Sequence, residues 1–190
     1  MDSLESFDRA ITVASRVVGS ITDRQLTLPT PCSEWTVRDI LNHVLLGDLI
    51  GNAFIHGAPQ PDRRVDHLGD DPRVAVAAGL ASFRAEVASP GTLDRHIDTP
   101  MGNITVRAFL DRRVADLTAH LWDLSTATGQ PTTYDPELNM LVLAHYKSRL
   151  DGADRTGMPV ADMRPVTDDA TAADRLAAYL GREPSLQGAP

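Results

Sequence analysis

The chain has 190 residues, of which 42% are hydrophobic and 23% charged, and it carries a formal net charge of −8. This length suits one domain, which buries roughly 70% of its unfolded surface and needs neither a disulfide nor a structural metal to fold. The acidic balance repels polyanions and excludes nucleic acid or an anionic membrane surface as the main partner.

The first residues, MDSLESFDRA, contain neither a basic start nor an apolar run, so no secretory signal is expected there. Leu4, Phe7, Ile11, Ala14, Val18 and Ile21 recur at intervals of three and four, which predicts a first helix from about Ser3 to Ile21. Pro29 and Pro31 exclude helical geometry before them and make TLPTPCSEW a loop. Thr36 and Asp39 form a capping box that starts a second helix, apolar around most of its circumference from Ile40 to Ile55. Its most apolar stretch, VLLGDLIGNAFI, is interrupted by Asp48 and is too short to span a bilayer. The single cysteine, Cys32, permits no intrachain disulfide. A cytoplasmic setting is expected.

Gly57 to Pro72 reads as a surface loop and is the candidate for the long crossover that some bundles use. A third helix is predicted from about Arg73 to Val87, ended by Ser89-Pro90-Gly91. Leu93 to Ile104 alternates weakly, with Met101-Gly102-Asn103 as a turn between short extended flanks. Thr105 caps a fourth helix that runs through Leu110, Val114, Leu117, Leu121 and Leu124 to Gly129. Pro136 opens a fifth helix through Leu150, Asp151 to Val166 is loop-like, and a short last helix lies near Ala170 to Leu180. The prediction is an all-α bundle over residues 1–150, with residues 151–190 forming a loop and a short helix that pack on it.

Asp116 and His120 stand four apart on the fourth helix, so their side chains point the same way, one above the other. His43, on the second helix, can supply a third ligand from a facing element. Three N and O ligands with an open fourth position make a catalytic metal site, and two imidazoles with a carboxylate suit zinc, nickel or iron. The plainer alternative is an i,i+4 polar pair on a solvated helix face, with His43 an ordinary core histidine. Asp123, three residues after His120, either accepts a hydrogen bond from that ring or is a solvated charge. Cys32, three helical turns before His43 and so on the order of 15 Å away, is expected to be a small buried side chain apart from the ion. His145, on the fifth helix, is a reserve ligand. Trp122 is expected at a helix contact, and Trp35 is expected to pack its loop onto the bundle.

The segments PTPCSEWTVRDILNHV, ADLTAHLWDLSTATGQP and ADRLAAYLGREP together resemble the actinobacterial DinB-like metal-binding family, which is related to the N-terminal domain of mycothiol-dependent maleylpyruvate isomerase. The resemblance covers nearly the whole chain and implies a DinB-like four-helix bundle with an additional C-terminal helical segment. It matches His43, Asp116 and His120 to the family's metal ligands. The related isomerase carries Glu where this chain has Asp116, and residues beyond Leu150 are too few for that enzyme's second domain. Maleylpyruvate isomerisation itself is therefore not the expected reaction. The resemblance implies a divalent-metal enzyme, zinc first, of the thiol transferase or isomerase type, acting on a small electrophilic molecule. Its low-molecular-weight thiol would be mycothiol. The alternative is a non-enzymatic module that binds or senses a small ligand through its metal. The oligomeric state stays open.

Overall fold

The computed structural model describes residues 1–32, 34–156 and 160–184. Four helices form the bundle: α1 (Ser3–Gly19), α2 (Val37–His56), α3 (Pro72–Val87) and α4 (Val106–Thr128). Each begins where its cap dictates. Asp2 accepts from Glu5 N ahead of α1, Asp71 from Arg73 N and Val74 N ahead of α3, and Thr105 from Ala108 N ahead of α4. The Thr36–Asp39 capping box at the start of α2 is formed as predicted. Gly57 (φ 62°) and Gly129 (φ 70°) close α2 and α4 in the left-handed conformation that glycine adopts without strain.

α1 packs on α3 and α4, and so does α2, so α1 and α2 occupy opposite corners. Residues 57–71 therefore join neighbouring helices and are not the crossover. The connections that cross the bundle are residues 20–36 and 88–105. The 57–71 loop spends its length folding back along α2. Asn42 donates to Val65 O at 3.1 Å and accepts from His67 N at 2.8 Å, while Arg38 Nε meets Asp66 Oδ2 at 2.7 Å.

The predicted turn before α4 is a two-stranded antiparallel hairpin, β1 (His96–Thr99) and β2 (Gly102–Thr105), with His96 opposite Thr105. Beyond α4, α5 (Pro136–Leu150) and α6 (Ala172–Tyr179) pack on each other and on α4. α4 is thus covered on most sides, which explains its buried run from Leu117 to Ser125. The core joins Phe7, Ile40, Leu41, Phe83, Leu110, Leu117 and Leu124, and Phe7 meets Phe83 edge to face at 5.6 Å. Trp122 takes the helix contact expected of it: it packs with Ala173 and Ala177 and donates its Nε1–H to Asp174 at 3.0 Å. Among the described residues no helix is long and apolar enough to cross a membrane.

Candidate metal centre

His43 lies in the first half of α2, and Asp116 and His120 lie one turn apart on α4. Because those helices are neighbours, the three side chains meet. His43 Nε2 is 3.2 Å from Asp116 Oδ1, and His120 Nε2 is 3.6 Å from the same oxygen. The three ligand atoms all lie within 4.8 Å of one another. Ligands about 2.0–2.1 Å from a tetrahedral zinc stand about 3.3 Å apart, so the donor set and its spacing fit one divalent ion.

Two of the three side chains, His120 and Asp116, are held from behind. Asp123 is fully buried, and its Oδ2 lies 3.0 Å from His120 Nδ1. A carboxylate only accepts, so Nδ1 carries a proton there, and Nε2 is the ring atom turned toward Asp116. Arg182 donates to Asp123 from Nε at 2.9 Å and from Nη2 at 2.7 Å. Burial alone would raise the Asp123 carboxyl, but the Arg182 and His120 bonds outweigh it and hold it below the usual range. Of the two sequence readings of Asp123, its burial decides for the hydrogen-bonded one.

Asp116 is anchored by Arg113, whose Nη1 lies 3.2 Å from Asp116 Oδ2 and so leaves Oδ1 to the histidines. Arg113 itself is buried against Asp48, Nε to Oδ1 at 2.9 Å, and donates Nη2 to Val44 O at 2.8 Å. Gly47 makes room for it, since a Cβ there would stand 2.8 Å from Arg113 Nε. Burial opposes the charge on Asp116, but the His43 hydrogen bond and the charges of His120, His43 and Arg113 prevail and hold the carboxyl well below the usual range. Arg113, Asp48 and Arg182 are absent from the residues that spacing singled out. One signal was present: Asp48, the one acid within the apolar stretch VLLGDLIGNAFI, needs a cation if that stretch is buried.

Trp35 covers the pair of imidazoles, with ring centroids 4.9 Å from His43 and 5.7 Å from His120. It does pack its loop onto the bundle, and it does so on the site itself. The same loop corrects the expectation for Cys32. Its Sγ lies within 4.8 Å of the ligand atoms of His120 and Asp123, beside the centre and not removed from it. A helical rise per residue does not apply before Val37, because the chain doubles back there. Thr30 N bonds Trp35 O at 3.1 Å, and Pro29 bridges to Thr36. Burial and the charge of Asp123 push the Cys32 thiol up, against the pull of Arg182.

His145 sits away from the triad, in a separate cavity with Asp2, Ser6 and Asp111. His145→Ala should therefore leave metal content unchanged when measured by elemental analysis, and loss of metal would reinstate it as a ligand.

Two half-open cavities meet at the triad, and Trp35, His43 and Asp116 line both. One, of about 470 Å³, is walled by Leu46, Ile50, Met101 and Phe109, with Arg63 and Arg112. The other, of about 730 Å³, is lined by Cys32, Tyr146, Arg155, Thr156, Asp162 and Arg182. His43 and Asp116 have side chains 35% and 36% exposed, so a bound ion would be open to both spaces, whereas His120 is packed away at 10%.

The family model of the mycothiol maleylpyruvate isomerase N-terminal domain matches residues 7–125, a span that holds the triad, Arg113 and Asp123 but ends before Tyr146 and Arg182. Two uncharacterized proteins of Mycobacterium tuberculosis, from strains CDC 1551 and H37Rv, are each 35% identical over 184 residues, covering 96% of this chain and 98% of theirs. No solved structure matches the chain.

Proposed function

Since the chain belongs to the mycothiol maleylpyruvate isomerase N-terminal domain family, we propose that it is a metal-dependent thiol transferase or isomerase that uses mycothiol on a small electrophilic molecule. The observation that carries this reading is the convergence of His43, Asp116 and His120 where two cavities meet. A divalent ion held by these residues, zinc first and nickel or iron by the same donor set, supplies the positive charge that favours a thiolate at neutral pH. Asp123, through its bond to Nδ1, would leave His120 Nε2 as the atom offered to such an ion. Arg113 occupies Oδ2 of Asp116 and leaves Oδ1 as the ligand oxygen. In the smaller chamber Leu46, Ile50 and Phe109 offer an apolar wall beside the site. In the larger chamber Tyr146, whose hydroxyl burial pushes up, stays protonated and can donate a hydrogen bond, while Arg155 and Arg182 supply further donors. Its volume and these donors suit a bulky, polar thiol.

Cobalt substitution tests this reading. With Co²⁺ in the site, added mycothiol should produce a sulfur-to-cobalt charge-transfer band, and the loaded protein should accelerate conjugation of an activated electrophile. His43→Ala should lose both. The band should survive in Cys32→Ser, because a band that vanished there would belong to the protein's own sulfur. If no thiol perturbs the cobalt spectrum, a metal-anchored binding module is the better account.

A further inference from the structure

His145, the histidine that the metal centre leaves over, lines a cavity of about 570 Å³ between the start of α1, the first half of α4 and α5. Most of the polar groups around this space are already spent. Asp2 caps α1 through Oδ1, 2.8 Å from Glu5 N, so its charge meets the positive end of that helix. The Ser6 hydroxyl donates to Asp2 O and the Ser148 hydroxyl to His145 O, each at 2.8 Å. Arg107 is paired with Asp94 at 2.9 Å. Two polar side chains remain. Among the described residues, neither the half-buried Asp111 carboxylate nor the His145 ring makes a hydrogen bond or an ion pair.

Burial first, then Arg149 and Arg112, pull the His145 pKa below its ordinary value against the opposing charge of Asp111. The ring is therefore uncharged at neutral pH and keeps one nitrogen as an acceptor. Neither of those arginines lines the cavity, and Arg112 opens onto the space beside the triad instead. The cavity thus offers a carboxylate and a ring acceptor, both lacking a donor. Among the described residues, Asp2, Asp111 and His145 do not gather their ligand atoms within 4.8 Å of one another as the triad does, so a bare metal ion is not the fit. Val114, Leu141 and Val142 form an apolar side suited to a hydrocarbon body. The chain's net charge of −8 draws cations toward it.

We propose that this cavity is a second ligand site, separate from the metal centre, that takes a small organic amine. The ammonium pairs with Asp111 and donates a further hydrogen to His145, while the hydrocarbon body lies on Leu141 and Val142. An ammonium on a carboxylate is a charge-assisted pair, stronger than any bond a neutral alcohol of the same shape can make there. The site stands independently of the thiol-transfer reading, since no ligand of the triad lines it.

Calorimetry on the purified protein, repeated after cobalt loading, tests this with benzylamine and its neutral counterpart benzyl alcohol. The amine should bind at least about tenfold more tightly than the alcohol, as a charge-assisted pair implies. Asp111→Asn should abolish that preference and leave the weak alcohol binding unchanged, with far-UV circular dichroism checking the fold. His145→Ala should weaken the amine by about threefold, the loss of one ordinary hydrogen bond, and His145→Gln should restore part of it. The cobalt d–d bands should not move when the amine binds. A shifted cobalt spectrum would assign the amine to the metal and overturn the site. So would equal binding of the two probes, no binding of either, or a preference that survives in Asp111→Asn. Met1 also lines the cavity, and its ammonium makes no ion pair among the described residues. If benzylamine binds only after that ammonium is acetylated, Asp111 serves the chain's own cation and the proposal falls.

Discussion

Arg113→Met is expected to lower the free energy of unfolding by about 3–5 kcal/mol, the usual cost of stranding one member of a buried ion pair. Asp48 is fully buried and already has one oxygen, Oδ2, without a hydrogen-bond partner among the described residues. Without Arg113 its remaining oxygen loses its donor as well, and the carboxylate must either protonate or stay uncompensated. The same substitution frees Oδ2 of Asp116, so metal affinity should fall together with stability. Urea denaturation of the metal-free protein isolates the first effect. The double variant Arg113→Met with Asp48→Leu should recover most of the loss, because replacing a whole buried pair by apolar side chains is often neutral. A single variant within about 0.5 kcal/mol of the parent would mean that Asp48 is neutral or hydrated in solution.

His120→Ala should reduce bound metal from about one ion per chain to nearly none, as one of three ligands disappears. The helical circular dichroism signal should remain, since the core formed by α1–α4 does not depend on that ring. Asp123→Asn keeps the side chain's shape but permits the wrong ring tautomer, and it should cost about 10–100-fold in metal affinity. The graded pair is informative: full occupancy in His120→Ala removes the residue from the site, and equal losses in both variants indicate that burial of Asp123, not the ligand bond, is what matters.

Local chemistry made the helices readable. Caps at Thr36 and Thr105, Pro136 at a first turn and glycines at helix ends act within a few residues, and the elements begin and end close to where those signals stand. The triad was readable too, because i,i+4 spacing on α4 leaves only the partner helix to be found. What stayed hidden depends on the chain folding back. Arg182 reaches Asp123 across 59 residues, Arg113 reaches Asp48 across 65, and Cys32 comes beside His120 through a loop that reverses direction. No periodicity encodes such contacts. The mistaken crossover has the same origin: loop length reports how far a connection can reach, not whether it spends its residues crossing the bundle or lying along α2.

The bond between Arg182 and Asp123 also sets a schedule for the newborn chain. Domains fold as synthesis proceeds, and at about 5–20 residues per second the interval between these two positions takes about 3–12 seconds. Throughout that time α1–α4 can assemble and bring His43, Asp116 and His120 together, while Asp123 lacks its guanidinium and cannot yet be buried as an ion without cost. His120 therefore gains its settled tautomer last. Settling of the proposed metal site is tied to arrival of Arg182, just beyond α6, so a ribosome-bound chain that already contains His43, Asp116 and His120 is still an immature one.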